Sequence, residues 1–415
     1  MTISTPRQSD TFRRKATFSR TGGDTFARKV TLFAPKVTNP GRIGRYRVTP
    51  VNLLHFPLEA ERLGGKAGMG LNLPPAGATM GAMSCSAPLV DAFNRRISYL
   101  RLSVTDRCDL RCSYCMPEKM QFLPRKEVLS LEELHKLALA FIDRGITKIR
   151  LTGGEPLVRR DVIELVHALG RKLGDGLDEL TLTTNGTQLA EFAEDLAAAG
   201  VKRINVSLDT MDAGLFQKLS RRDRLGQVLQ GIAAAREAGL EVKLNTVALK
   251  GLNEDEIPFL VEWAHAHGHA ITLIEVMPLG EVEGERVDHY LPLTAVRERL
   301  EARWTLTESD HRSGGPARYV DVAETGGRLG FITPLTNNFC ASCNRIRVTA
   351  TGELYACLGG AEKVDLRAAL RSEAPDANLA AALDEAMRIK PERHHFRIER
   401  GAGPAQPRHM SLTGG

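Results

Sequence analysis

Residues 103–118 read Ser103-Val-Thr-Asp-Arg-Cys-Asp-Leu-Arg-Cys-Ser-Tyr-Cys-Met-Pro-Glu118, which sets Cys108, Cys112 and Cys115 apart by three and then two residues. A structural zinc site closes on four ligands, and electron-carrier iron–sulfur motifs likewise give each cluster four cysteines. Neither Cys nor His occurs in the fifteen residues after Cys115. The second group, Cys340, Cys343 and Cys357, also stops at three. A [4Fe–4S] cube held by three thiolates keeps one iron open to a small molecule. An isolated Cys-x2-Cys would ordinarily be read as a zinc knuckle or as buried thiols; the first group's spacing reverses that preference. The seventh cysteine, Cys85, is read as incidental. An odd count in tight clusters argues for metal thiolates over disulfides.

Outward from this loop, short β-branched runs alternate with helical patterns. The expected strands are Tyr99–Val104, Lys148–Thr152, Glu179–Thr183, Arg203–Leu208, Glu241–Leu249 and Ala270–Val276. Helices are expected near 130–144, 159–173, 188–199, 223–238 and 254–267, the first opening on the capping-box pattern Ser130-Leu-Glu-Glu133. Six such repeats over about 180 residues imply parallel strands with right-handed crossovers, in either an open doubly wound sheet or a partial (β/α) barrel. Both put chemistry at strand C-termini. The cysteine loop follows strand one, Gly153-Gly154-Glu155-Pro156 follows strand two, and Thr184-Asn185-Gly186 follows strand three. After Met277-Pro278 the alternation stops, leaving two short strand candidates, Leu329–Thr333 and Ile346–Thr349. The expected division is an extension over 1–85, an α/β barrel over 86–285 and a smaller C-terminal domain over 286–415.

The formal charge of +6 is carried by the extension: residues 1–82 hold 13 Lys/Arg against 4 Asp/Glu, leaving −3 for residues 83–415. With no interleaved basic and aromatic residues in the body, a nucleic-acid partner is not expected. The extension is rich in Thr, Arg, Gly and Pro and lacks helical or strand periodicity, so it is read as mostly disordered. A start codon assigned too far upstream of Met80 or Met83, an organelle transit peptide and a basic tail with a partner all remain open. No run of eighteen apolar residues appears, so no membrane span is expected and a cytoplasmic location is the default.

The first cysteine spacing, placed after the first strand of such a repeat, resembles the signature of the radical S-adenosylmethionine superfamily. Gly153-Gly-Glu-Pro156 matches that superfamily's second motif. The resemblance tightens over residues 90–415 toward the GTP 3′,8-cyclases, which open molybdenum cofactor biosynthesis. It rests on Tyr99–Cys108, Arg150–Pro156, Thr183-Thr-Asn-Gly186, Lys243-Leu-Asn-Thr-Val247, Phe339–Val348, Lys390-Pro-Glu-Arg-His-His-Phe396 and the terminal Gly414-Gly415. The second group's two-then-thirteen spacing and the terminal glycines are the most specific signs.

That resemblance implies a partial (β/α)6 barrel of the radical SAM type, closed by a smaller C-terminal iron–sulfur domain. Cys108, Cys112 and Cys115 would hold one [4Fe–4S] cluster, and Cys340, Cys343 and Cys357 a second. S-adenosylmethionine would complete the first, contacted by Tyr114, Gly154, Ser207 and Met277, and its reductive cleavage would yield a 5′-deoxyadenosyl radical. GTP, the implied substrate, would place its guanine on the second cluster's open iron. The radical would remove the 3′ hydrogen, and the resulting carbon radical would attack C8. Implied partners are an electron donor and a downstream cyclic pyranopterin monophosphate synthase, with monomer and homodimer both left open.

A triphosphate needs its charge met, and the chain has no Gly-x4-Gly-Lys-Ser/Thr loop, so side chains must meet it. By the resemblance these are Arg101, Arg150, Thr183, Lys243, Arg345 and Arg347, with the backbone at Ile346. Arg345 and Arg347 share one strand face by alternation, so both can point inward. Gly414 and Gly415 are implied to thread into the active site as a catalytic tail. His394 and His395 are read as structural. Asp109 and Leu110 depart from the Asn and aromatic residue common in that family, a change outside the ligand set. Two other readings carry less weight: a radical peptide-modifying maturase, which would bring more auxiliary cysteines, and a non-catalytic zinc or iron–sulfur module.

Overall fold

The computed structural model describes residues 87–282 and 286–414. The basic extension, Cys85 and Gly415 lie outside the described residues. All six expected strands form: β1 (Tyr99–Ser103), β2 (Lys148–Thr152), β3 (Glu179–Thr184), β4 (Arg203–Ser207), β5 (Glu241–Ala248) and β6 (Ala270–Glu275). Between them lie α1 (Leu131–Asp143), α2 (Val162–Gly170), α3 (Leu189–Ala198), α4 (Ala213–Ser220), α5 (Leu225–Glu237) and α6 (Ile257–Ala266). The Ser130 capping box is present, with the Ser130 hydroxyl accepting from the Glu133 amide at 3.1 Å and Glu133 Oε2 accepting from the Ser130 amide at 2.8 Å. The expected helix over 223–238 is α5, and α4 lies outside the expected helices. A turn at Arg221, with φ of +57°, divides them.

The six strands run parallel in chain order, and the C-terminal segment extends the sheet at both ends. Six strands form there in place of the two expected: β7 (Leu306–Ser309), β8 (Arg318–Val322), β9 (Gly327–Ile332), β10 (Arg345–Val348), β11 (Glu353–Tyr355) and β12 (Lys363–Asp365). β10 pairs parallel with β1 and β9 pairs parallel with β6, giving the order β12-β11-β10-β1-β2-β3-β4-β5-β6-β9-β8-β7. The four missed strands are antiparallel outer ones. They run three to five residues, and β7 and β12 are mostly polar, so the apolar alternation that marks a strand is faint.

The parallel strands carry two kinds of residue. Leu100, Leu102, Ile149, Leu151, Ile346 and Val348 are buried in the main apolar core. The alternate positions face the barrel interior, where Arg101 stands in register with Arg347 on one side and Arg150 on the other. Tyr99 is likewise flanked by Arg345 and Lys148. A short helix, Met410–Thr413, brings the chain end against β1, anchored by hydrogen bonds from Gly280 to Gln406 and from Ala405 to Pro278. Among the described residues no helix is long and apolar enough to cross a membrane.

Candidate active site

Two cavities of about 1000 Å³ each lie inside the barrel, and each holds one cysteine triplet. The first is lined by Cys108, Cys112 and Cys115 with Tyr114, Gly154, Thr183, Ser207 and Met277. The second is lined by Cys340, Cys343 and Cys357 with Arg101, Arg150, Lys243, Arg345 and Arg347. Asn245, Ile274 and Met277 line both and form the shared wall. Thr183, grouped with the substrate residues by resemblance, lines the cysteine-108 cavity and reaches the other only through its hydroxyl, which accepts from Arg150 at 3.4 Å. The Ile346 side chain packs outward into the core, so only its backbone is available to the interior.

The cysteine-108 loop is fixed by the ends of the next two strands. A Cβ on Gly154 would overlap the Arg107 carbonyl, while the Gly154 and Glu155 amides donate to Thr105 and Arg107 at 2.9 and 2.8 Å. The Gly-Gly pair is therefore small where it meets the cysteine loop. Buried Glu155 accepts from the amides of Leu157 and Asn185 and from the Thr184 hydroxyl. Asn185 in turn donates to Asp109 at 2.7 Å and lies 3.7 Å from Cys108 Sγ. Asp109, the departure noted in the sequence, is thus held by Asn185 and Thr187. Opposite, the Tyr114 hydroxyl donates to Asp209 at 2.6 Å, and Asp209 also accepts from the Val247 amide.

The thiols of this loop resist ionisation. Burial pushes Cys108 up to about 12, with Glu155 and Asp109 adding to it. Cys112 is raised well above its ordinary value by burial and by Cys115 and Cys108. A cationic iron centre reverses such a balance, because a coordinating thiol is deprotonated by the metal. Among the described residues no group of three or more His, Cys, Asp and Glu side chains converges as a single ion requires. A cube puts each thiolate on its own iron, so triplets spread around a cavity fit it better than one zinc ion.

In the second cavity, Arg101, Arg150 and Lys243 are buried, and among the described residues that line it all five inward cations meet no Asp or Glu. Burial lowers Arg101 to about 10 and holds Arg347 well below its ordinary value, each helped by neighbouring arginines. Burial, Arg150, Arg203 and Lys148 bring Lys243 down to about 7. Although burial pushes the Tyr99 phenol up, Arg150, Arg101, Lys148 and Arg345 draw it down to about 8. Buried cations this close repel one another, and a polyanion entering the cavity would relieve that repulsion.

Two buried cations absent from the sequence-level site hold the second triplet together. Arg95, paired with Asp91 at 2.6 Å, donates to the carbonyls of Cys340, Pro391 and Glu392. Lys390 donates to the carbonyls of Arg345 and Ala356 and lies 4.0 Å from Cys343 Sγ. Burial raises Cys343, yet Arg345 and Lys390 outweigh it and bring the thiol to about 7. Lys390 lies in a quoted motif, so the sequence flagged its neighbourhood; nothing in the sequence flagged Arg95.

The tail reaches the same interior. Arg347 donates to the Gly414 carbonyl at 2.7 Å, and a Cβ on Gly414, whose φ is +72°, would overlap the Thr152 side chain.

The architecture and these two cavities define a radical SAM protein. A Radical SAM superfamily model matches residues 102–264, and a Molybdenum Cofactor Synthesis C model matches 269–396. The chain belongs to the GTP 3′,8-cyclase family. It is 73% identical over 330 residues to the GTP 3′,8-cyclase of Erythrobacter litoralis, covering 80% of this chain and 99% of that one. The corresponding protein of Rhizobium meliloti is 59% identical over 332 residues, covering 80% and 95%. Among solved structures, Streptococcus suis SuiB bound to precursor peptide SuiA superposes with a TM-score of 0.52 at 18% identity, over 72% of this chain and 68% of that one. That likeness concerns the fold alone.

Proposed function

We infer that this chain is a radical SAM enzyme that converts GTP to (8S)-3′,8-cyclo-7,8-dihydroguanosine 5′-triphosphate, the first step of molybdenum cofactor biosynthesis. The observation carrying this reading is the pair of adjoining cavities, one with three cysteines beside Tyr114 and Ser207, the other with three cysteines beside five inward cations. When bound, S-adenosylmethionine and its cluster supply a 5′-deoxyadenosyl radical. Cys108, Cys112 and Cys115 hold that cluster, and Tyr114, Gly154, Ser207 and Met277 orient the cofactor. Cys340, Cys343 and Cys357 would hold a second cluster, which would supply a binding position for the guanine. Arg101, Arg150, Lys243, Arg345 and Arg347 neutralise the triphosphate and fix the ribose toward the shared wall, with Thr183 and the Ile346 backbone at its edge. Gly414 and Gly415 close the site from the chain end. Residues 86–285 form the barrel domain and 286–415 the iron–sulfur domain. The enzyme works in the cytoplasm, draws on an electron donor, and passes its product to a cyclic pyranopterin monophosphate synthase. Anaerobic incubation with S-adenosylmethionine, dithionite and GTP tests the reading. 5′-Deoxyadenosine release that depends on GTP and accompanies a cyclised nucleotide is expected; release without that nucleotide would remove the substrate assignment.

Lys243 gives the site a pH signature. Its folded value near 7 lies below the ordinary 10.5, so between these pH values the unfolded chain holds a proton that the empty folded protein lacks. Stability of the empty protein therefore gains from rising pH across that window. GTP pulls the proton back. Titration calorimetry at pH 8 in buffers of different ionisation enthalpy should show uptake approaching about one proton per GTP from Lys243, with a smaller share from Tyr99, and Lys243→Met should remove the larger part of it. Equal uptake by both proteins would exclude Lys243 from the phosphate site.

Arg95→Ala should strip the second triplet selectively. Three carbonyls lose their common donor and Asp91 loses its ion pair, so we expect about half the iron to be lost while 5′-deoxyadenosine formation persists. Full iron content in anaerobically reconstituted Arg95→Ala would show that the three backbone bonds are dispensable.

A further inference from the structure

The outer side of the cysteine-108 loop is not used by the chemistry above, and its charge is unlike the rest of the body. Segments 107–127, 159–161 and 221–224 carry ten Arg/Lys against five Asp/Glu, in a body, residues 83–415, whose net charge is −3. The structure makes them one surface. Arg107 and Arg111 both lie over the Phe122 ring, at 5.7 and 4.9 Å. Arg221 donates to the carbonyls of Arg111 and Met116, and Glu118 bridges Arg221 and Arg222. A groove joins Arg107 to Arg125, Arg159 and Arg160, with the exposed carboxylates Glu132 and Asp161 on its wall, so its cations outnumber its exposed carboxylates four to two. Arg107, Arg125, Lys126 and Arg160 are exposed. Glu118 is engaged by Arg221 and Arg222 and leaves Arg107, Arg125, Lys126 and Arg160 outside its ion pairs.

Resting on the reading that Cys108, Cys112 and Cys115 hold a redox cluster, we propose that this basic face is the docking surface for an acidic one-electron donor protein. Arg107 is peptide-bonded to Cys108, and Arg111 donates to the Cys108 carbonyl at 2.6 Å, so a partner seated on these arginines sits one backbone layer from the cluster ligands. Charge complementarity of this kind steers encounter and fixes orientation, and salt weakens it. The redox step balances simply: a flavodoxin hydroquinone anion gives up one electron and becomes the neutral semiquinone, the oxidised cluster accepts that electron, and no proton moves.

Reduced flavodoxin, an acidic flavin protein, is the probe, used with the reconstituted full chain. The triple variant Arg125→Glu, Lys126→Glu, Arg160→Glu is expected to lower flavodoxin-driven 5′-deoxyadenosine formation at least about tenfold at low salt, while dithionite-driven formation stays within about twofold. Calorimetry with oxidised flavodoxin should show binding to the unaltered protein that weakens as salt rises, and no binding to the triple variant. The corresponding Gln variant should fall between the two. An equal loss with dithionite would mean that the residues support the loop's structure. Unchanged flavodoxin kinetics would overturn the docking surface, as would salt-sensitive binding of a DNA duplex to this face without any flavodoxin binding. Absence of 5′-deoxyadenosine with either reductant, even in the unaltered protein, would sink the cluster reading itself.

Discussion

Cys112→Ala should release no 5′-deoxyadenosine above background, a loss of more than about a thousandfold, whereas Cys343→Ala should go on releasing it and form no cyclised nucleotide. The contrast follows from where the triplets sit. Cys112 lines the cavity shared with Tyr114 and Ser207, and Cys343 lines the one shared with the arginines. On the proposed reading each cube would have only three protein ligands, so losing one would leave two open irons and an unstable cluster. Cys112→Ala would then lose the cluster that cleaves S-adenosylmethionine. Cys343→Ala would lose the site for the guanine, while S-adenosylmethionine would still bind across the wall of Asn245, Ile274 and Met277. Iron analysis of both variants, alongside mass spectrometry of the nucleosides, separates the cases. If both variants lost both products equally, the two cavities would not be independent sites.

The second large effect concerns one methyl group. Gly414→Ala puts a side chain at φ of +72°, which costs on the order of 1–2 kcal/mol for an ordinary residue, and drives it into Thr152. The tail must then back away, and Arg347 loses the carbonyl now 2.7 Å away. Cyclisation is expected to fall by about a hundredfold or more while iron content and 5′-deoxyadenosine formation remain. Removing both Gly414 and Gly415 should do the same. Adding Thr152→Ala removes the hydroxyl from the overlap but leaves the Cβ of residue 152 at 2.4 Å and the dihedral unchanged, so it should restore little of the activity. Normal cyclisation by Gly414→Ala would show that the tail serves only to pack.

The barrel was legible because parallel strands announce themselves. β1 through β6 carry Leu, Ile and Val on the outward side between recognisable turns, and all six formed within a residue of expectation. Short outer strands such as Glu353–Tyr355 and Lys363–Asp365 owe their pairing to neighbours, which a local pattern does not contain. The site divides the same way. Cysteine spacing and inward alternation of Arg345 and Arg347 are local facts. Asp209 under Tyr114, Glu275 bonded to Leu335 and Thr336, and Arg95 on the Cys340 carbonyl are long-range ones. A carboxylate or guanidinium of that kind looks like any surface charge until the fold brings its partner. Gly153-Gly154 stood out in the sequence only as part of a matching motif, and what the two glycines spare is collision with the Thr105 and Arg107 carbonyls.

The sheet order has a consequence for biosynthesis. When β6 has left the ribosome, β1 and β6 are the two margins of an incomplete sheet, because their outer neighbours β10 and β9 lie tens of residues downstream. At about 5–20 residues per second the nascent chain holds both margins naked for some seconds. Bare strand margins recruit other chains. A gene fragment ending near residue 285 should therefore accumulate in inclusion bodies, and the yield of full-length protein should respond to chaperone supply during the interval before β10 docks.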